Sequence, residues 1–301
     1  MNNFVITTDY TCDIDNQFIE DNNIVRVVMP VSIDGVEYDL ENSRITPKEL
    51  YDKMRQGSIC KTSQVNQFDA ITKFDRILSE GKDILHLCFS SGVSSTFENF
   101  TATVNELKKK YPDNKIYVID TLCGSGALGI MLYDCIKMQN QGKTIDEIAE
   151  YCESNKLCYS HYYVVQDLVH LKKGGRINAI EATIGTILGI KPVLSLDYYG
   201  KINVVNKVRG SKKAFKAMID MVMKNIIIPN NDFIIMAHSD CLQDAMEIGN
   251  VLKERTGLEI KYCDLTCLIG AHVGPNTVAV FFKGHERQGN QSMILPFNAN
   301  N

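Results

Sequence analysis

The chain has 301 residues, is 45% apolar and 23% charged, and carries a formal net charge of −4. Its length exceeds what one core ordinarily fills, so two domains are expected. The acidic balance, with no basic stripe, argues against nucleic acid, and apolar runs such as 225–229 and 233–237 are far too short to cross a bilayer.

No secretory signal is expected at the start, where a basic segment and a long apolar core are missing. Of the ten cysteines, Cys88, Cys135, Cys241 and Cys263 lie in apolar or helical runs, where the thiol behaves as a small hydrophobe. The pairs Cys152/Cys158 and Cys263/Cys267 lack the spacing of a zinc site, so no metal is expected and a reduced, cytoplasmic setting fits best.

In chain order, 4–8 reads as a first strand and 9–13 as a polar loop at its carboxyl end. A second strand is expected over 24–31, running into a hairpin at Asp34-Gly35. Thr46-Pro47-Lys48-Glu49 opens a helix with a cap, a proline at the first position and a capping box. A further helix is expected over 68–79. The run 83–89 is apolar and bounded by Gly81 and Ser90, the pattern of a buried parallel strand. The turn Ser90-Ser91-Gly92-Val93-Ser94-Ser95-Thr96 follows, and then a helix carrying Phe97, Phe100, Val104 and Leu107 at helical spacing. Ser94 or Ser95 with Glu98 fits its N-terminus, and a helix N-terminus among hydroxyls suits an anion. A strand over 115–120 and helices over 125–141 and 144–154 continue the alternation of a doubly wound α/β domain. Its ligand belongs beyond the carboxyl ends of the strands, near Asp9, Thr62, the serine-rich turn and Thr121.

The rhythm changes near residue 157. Expected next are a strand over 160–166, a turn over 168–175, a helix over 179–188 and a hairpin with strands 193–196 and 202–208. Helices over 211–223 and 242–255 and strands over 233–237, 258–263 and 277–282 complete the chain. Together these suggest a second, α+β domain with helices on one face of a mixed sheet. The expected division is 1–157, 158–284 and a loose polar tail over 285–301.

Several motifs carry chemistry. Gly124-Ser125-Gly126-Ala127-Leu128-Gly129 matches the dinucleotide fingerprint, yet it follows a late strand and no acid ends a further strand downstream, so close packing of helix on sheet is the better reading. Gly92-Val93-Ser94-Ser95-Thr96 approaches a hydrolase nucleophile elbow but lacks its second glycine. Ser94 with His272 as base is therefore the enzyme alternative, a serine esterase or a phosphotransfer protein, with no orienting acid specified by spacing. Basic residues beside glycine, at Lys172-Lys173-Gly174-Gly175-Arg176 and Lys207-Val208-Arg209-Gly210, fit a solvated surface or a docking patch.

Taken together, Thr8-Asp9 with Asp13, Lys61-Thr62-Ser63-Gln64, the Ser90–Phe97 turn, Leu171–Ile177, Lys191-Pro192-Val193-Leu194, Lys207–Gly210 and Gly270–Pro275 resemble the DegV family of bacterial fatty-acid-binding proteins, in order and in spacing. The resemblance spans nearly the whole chain, and the Lys-Gly-Gly-Arg-Ile and Gly-Ala-His-x-Gly-Pro segments are its most specific parts. It implies a non-enzymatic carrier with one long-chain fatty acid, such as palmitate, stearate or oleate, in the cleft between an α/β and an α+β domain, and no cofactor. It also implies a separate ATP-dependent fatty acid kinase that acts on the presented carboxylate. By motif match, Thr62, Ser94 and His272 would surround the carboxylate, with Ser95, Arg176 and Arg209 near the head group or on the kinase-facing surface. Ile180, Ile184 and Leu188, at helical spacing, are the candidates for the acyl tail. The chain departs from the family pattern at Tyr10, where a serine is usual, and at Ser95, where a glycine is usual.

Overall fold

A computed structural model describes residues 3–38, 40–41, 45–166, 168–176 and 189–288. Strands β1 (Phe4–Asp9), β2 (Val25–Val27), β6 (Asp83–Cys88) and β7 (Ile116–Asp120) form an all-parallel sheet in the order β2-β1-β6-β7. They read as apolar runs because both faces are covered. Ile84, Cys88 and Ile116 pack with α3 (Gln67–Ser79) and α4 (Thr96–Lys110) on one face. Ile6, Leu85 and Ile119 pack with α5 (Ser125–Asn140) and α6 (Ile145–Asn155) on the other.

The strand expected over 24–31 is broken in two. β2 stops at Val27, and β3 (Val31–Ile33) starts only after Pro30, whose missing N–H cannot continue a ladder. β3 turns at Asp34-Gly35 into β4 (Val36–Tyr38) and also pairs with β5 (Cys60–Thr62), a small antiparallel sheet that sets Thr62 opposite Val31. Helix α2 (Pro47–Arg55) begins with the expected capping box, Thr46 accepting from the Glu49 N–H and Glu49 from the Thr46 N–H. The short helix α1 (Asn16–Asp21), with Asp15 as its cap, was not legible in the apolar pattern.

The second sheet has six strands, ordered β10-β9-β8-β13-β11-β12. They are β8 (Tyr159–Val164), β9 (Ile190–Leu196), β10 (Ile202–Arg209), β11 (Phe233–His238), β12 (Glu259–Asp264) and β13 (Val278–Lys283). Only β11 and β12 run parallel, so the sheet is mixed. Helices α8 (Ser211–Asn225) and α9 (Leu242–Thr256) pack on one face through Met218, Val222, Ile248 and Leu252. The other face is not bare, as helices on one side alone would leave it: α5 lies on it, between the two sheets, with Ala127, Ile130 and Met131 in one core with Ile235 and Phe281. A helix so placed needs no polar stripe, and the run from Ser125 to Leu132 is buried throughout. Gly126 allows the close approach, since a Cβ there would stand 2.5 Å from the Phe281 ring and 2.8 Å from Ile235.

Two short helices replace expected loops: α7 (Val169–Lys173) and α10 (Cys267–Val273). The helix expected over 179–188 lies outside the described residues. The tail is not loose at its start, because Arg287 donates to the carbonyls of Leu122, Lys156, Leu157 and Asp197.

Candidate functional site

A cleft of about 950 Å³, its open mouth included, lies between the sheets at the N-terminal end of α5. Its wall is mostly apolar, with Phe89, Tyr163, Leu196, Ile202, Leu268 and Phe281 among the side chains, and Thr62, Ser94, Arg176 and His272 share its lining. The location follows from the topology: Ser94 lies in the turn after β6, Thr62 ends β5, and His272 sits on α10, all at the carboxyl side of the parallel strands.

The four polar residues form one corner. Thr62 Oγ1 and His272 Nε2 are 2.8 Å apart in a hydrogen bond. Arg176 donates through Nε to the Val93 carbonyl at 3.3 Å and also to the Gly174 carbonyl, which holds its guanidinium beside Ser94 and His272. Burial, with the Arg176 charge added, pushes the His272 imidazole down to about 4, so it is neutral at pH 7. Gly174 packs directly against that ring: a Cβ would stand 2.3 Å from His272 Nδ1. Ser94 Oγ lies 2.8 Å from Thr96 Oγ1 and accepts from the Thr96 N–H at 3.3 Å, while Ser95, at the cap position of α4, makes no side-chain cap bond.

Carboxylates, buried at Asp9 and Asp13 and half-buried at Asp120, hold this corner in place. Asp9 accepts from the backbone N–H groups of Thr11 and Phe89, both at 2.9 Å, and from the Thr11 hydroxyl, so the ends of β1 and β6 are tied together. Burial raises its pKa. Asp120 accepts from the Ser91 N–H at 3.1 Å and from the Ser91 hydroxyl, which fixes the serine-rich turn. Ser90 reaches across to donate to the Gly200 carbonyl at 2.9 Å, joining that turn to the β9–β10 hairpin. Asp13 accepts from the Ser125 hydroxyl on the cleft wall and from the Thr266 N–H at 2.8 Å, and burial pushes it up to about 7.

The expected residues therefore separate into groups. Thr62, Ser94, Arg176 and His272 come together, whereas Ser95 and Arg209 are exposed and do not line the cleft. Ile180, Ile184 and Leu188 lie outside the described residues. No hydrogen bond joins Ser94 to His272, whose Nε2 is engaged with Thr62 and whose Nδ1 has no partner among the described residues. The pairing that a serine nucleophile needs is thus not made. The glycines of the 124–129 stretch serve packing: a Cβ at Gly124 would stand 2.3 Å from the Phe89 ring. One group with metal-ligand chemistry occurs among the described residues, Asp9, His86 and Cys88, with ligand atoms within 4.8 Å of one another. It is packed as core, with the Asp9 oxygens already bonded and the His86 ring 3.9 Å from that of Phe100.

Sequence reasoning missed most of the apolar wall and His161. The wall residues come one or two from each of many elements, and only the inward alternation of His161 and Tyr163 along β8 hinted at it.

Fold and site together define an α/β protein of two large sheets and one small one, whose cleft suits an amphipathic ligand with one polar end. A model of the DegV family, described as uncharacterised proteins, matches residues 3–284, and the chain belongs to that family. A DegV domain-containing protein of Clostridium perfringens is 37% identical over 290 residues, covering 96% of this chain and 100% of the relative. Among solved structures, the fatty acid binding DegV family protein SAG1342 of Streptococcus agalactiae is similar with a TM-score of 0.83 at 27% identity, over 95% of this chain and 100% of that one. A DegV lipid binding protein of Thermotoga maritima is similar with a TM-score of 0.80 at 27% identity, over 96% and 100%.

Proposed function

We propose that this protein holds one long-chain fatty acid, such as palmitate, stearate or oleate, between two domains, 1–157 and 158–284, with no cofactor. It presents the carboxylate to a separate ATP-dependent fatty acid kinase in the cytoplasm and catalyses nothing itself. The observation that carries this reading is the joining of one polar corner, Thr62, Ser94, Arg176 and His272, to an otherwise mostly apolar cleft. The lipid and fatty acid binding of the Thermotoga and Streptococcus relatives support the same ligand class.

In this reading the hydroxyls of Thr62 and Ser94 donate to the carboxylate, and Arg176 supplies the opposite charge. Arg176 thus belongs to the head group rather than to a docking face. Arg209, exposed at the end of β10, is the candidate for contact with the kinase. The arriving carboxylate favours the imidazolium of His272, which burial and the Arg176 charge disfavour, so acid binding draws in a proton and tightens as the pH falls from neutral while the ligand stays ionised. Each buried methylene contributes about 0.8 kcal/mol, so roughly 14 of them contribute about 11 kcal/mol before the costs of immobilising the ligand, which leaves room for submicromolar affinity.

Titration with a fluorescent fatty acid tests the reading. Loss of one charge-assisted bond in Ser94→Ala or Thr62→Val should weaken binding about tenfold to a hundredfold. Native mass spectrometry of the purified protein should show about one fatty acid per chain. A protein that runs at its bare mass and takes up no acid of any length would overturn the reading.

A further inference from the structure

Helix α7 has five residues, too few to persist unaided, so packing must fix its place. Its second residue, His170, lays its ring against Gly274, where a Cβ would stand 2.3 Å from a ring carbon. Gly274 closes α10 at φ +76°, a conformation that favours glycine. Its carbonyl accepts from the Ser239 hydroxyl at 2.7 Å and from the Thr277 hydroxyl at 3.2 Å, which ties it to the ends of β11 and β13. Gly174 closes α7 in turn and receives the His272 ring of α10. Each helix therefore ends in a glycine that seats the other's histidine. The support is unequal. Gly274 is bound to the frame of the six-stranded sheet and Gly270 of α10 packs on Tyr51, whereas α7 reaches that frame through the His170 ring.

We infer that His170 is a positioning residue for the polar corner: its ring, seated on Gly274, fixes α7 and so places Gly174 against His272 and Arg176 beside Ser94. For its ligand the inference rests on the fatty-acid reading above, but the placement of His272 can be measured without any ligand. The two influences that keep the His272 ring neutral are burial and the Arg176 charge. Gly174, which covers the ring at Nδ1, and Arg176 both follow His170 within six residues. A vacated seat lets that segment shift, which relaxes both influences and loosens the alignment of Thr62 with His272. His170 touches no ligand in this view and acts through what it holds.

The test uses the full chain in two variants, His170→Ala, which empties the seat, and His170→Phe, which keeps a ring on it; His170→Ser replaces the first should it fail to fold. NMR titration of the imidazole signals, with that of His272 identified by its loss in His272→Gln, should find His272 at about 4 in the unaltered protein. It should rise by about one unit in His170→Ala and stay put in His170→Phe. Affinity for a fluorescent fatty acid should fall about fivefold in the first variant and less than about twofold in the second. An unmoved His272 in His170→Ala overturns the inference, even if affinity falls, and so does an equal shift in His170→Phe. If His272 moves as expected while the unaltered protein takes up no acid, or while affinity stays the same, the positioning role stands and the fatty-acid reading of the corner falls instead.

Discussion

Replacing Asp13 with asparagine should stabilise the protein, and by more as the pH rises. Asp13 is buried, and among the described residues no cation stands against it in an ion pair; it accepts from the Thr266 N–H and the Ser125 hydroxyl. Burial raises its pKa from an ordinary 3.8 to about 7. Between those values the folded chain holds a proton that the unfolded chain has lost. The stability this carboxyl contributes is therefore full below about 3.8 and is lost as the pH climbs through about 7. A shift of about three units, at about 1.4 kcal/mol each, sets a ceiling of about 4 kcal/mol on the loss. Asparagine keeps both contacts, its carbonyl accepting from Thr266 and its amide donating to Ser125, without the charge. Urea denaturation of both proteins at pH 4, 6 and 8 should show the variant gaining on the native chain by about 2–4 kcal/mol across that range. The comparison must be between the two proteins, because His272 and His86, held down to about 4 and about 3, make both less stable as the pH falls below about 6.5. A stability difference that does not change with pH would refute the reasoning.

Other substitutions probe the remaining links. In Gly174→Ala the new Cβ must displace the His272 ring, so the Thr62–His272 bond should be lost and fatty-acid affinity, read by fluorescence titration, should fall about fivefold. Charge reversal in Arg209→Glu should leave acid binding unchanged and abolish phosphorylation of the bound acid by the cognate kinase; loss of binding would return Arg209 to the cleft. Removing the α2 cap in Thr46→Ala should cost about 1 kcal/mol in chemical denaturation without altering ligand affinity. Arg287→Ala should cost about 2 kcal/mol or more, since one guanidinium serves four carbonyls, and its melting temperature would report this.

Much of the fold was legible wherever a local signal coincided with a lasting structural need. The capping box at Thr46 and Glu49 marks α2, and Asp34-Gly35 marks the β3–β4 hairpin, because both depend on nearest neighbours. The short elements were not legible. Helix α10 is Cys-Leu-Ile-Gly-Ala-His-Val, whose Gly270 has little helix propensity of its own, and it is held by packing against Tyr51, whose ring would meet a Cβ on Gly270. His272 thus read as a loop residue, although its neighbourhood was singled out through the family pattern. Motif positions indicated the polar corner, since hydroxyl, imidazole and guanidinium groups stand out in sequence. The apolar wall does not stand out, for a leucine facing a cleft and a leucine in a core look alike until the strands are assembled.

Helix α5 bears on how this molecule could be divided. Its buried stretch belongs to the parallel sheet and to the six-stranded sheet at once, although the strands of the two sheets occupy separate lengths of chain. A cut between α6 and β8 would leave the first fragment with an uncovered apolar helix face and the second with a bare sheet face of matching shape. Neither piece would keep well alone, but coexpressed they would find each other without any added dimerisation tag. Because the cleft opens at that same seam, only the rejoined pair would have a place for a ligand, and ligand uptake would report the reunion.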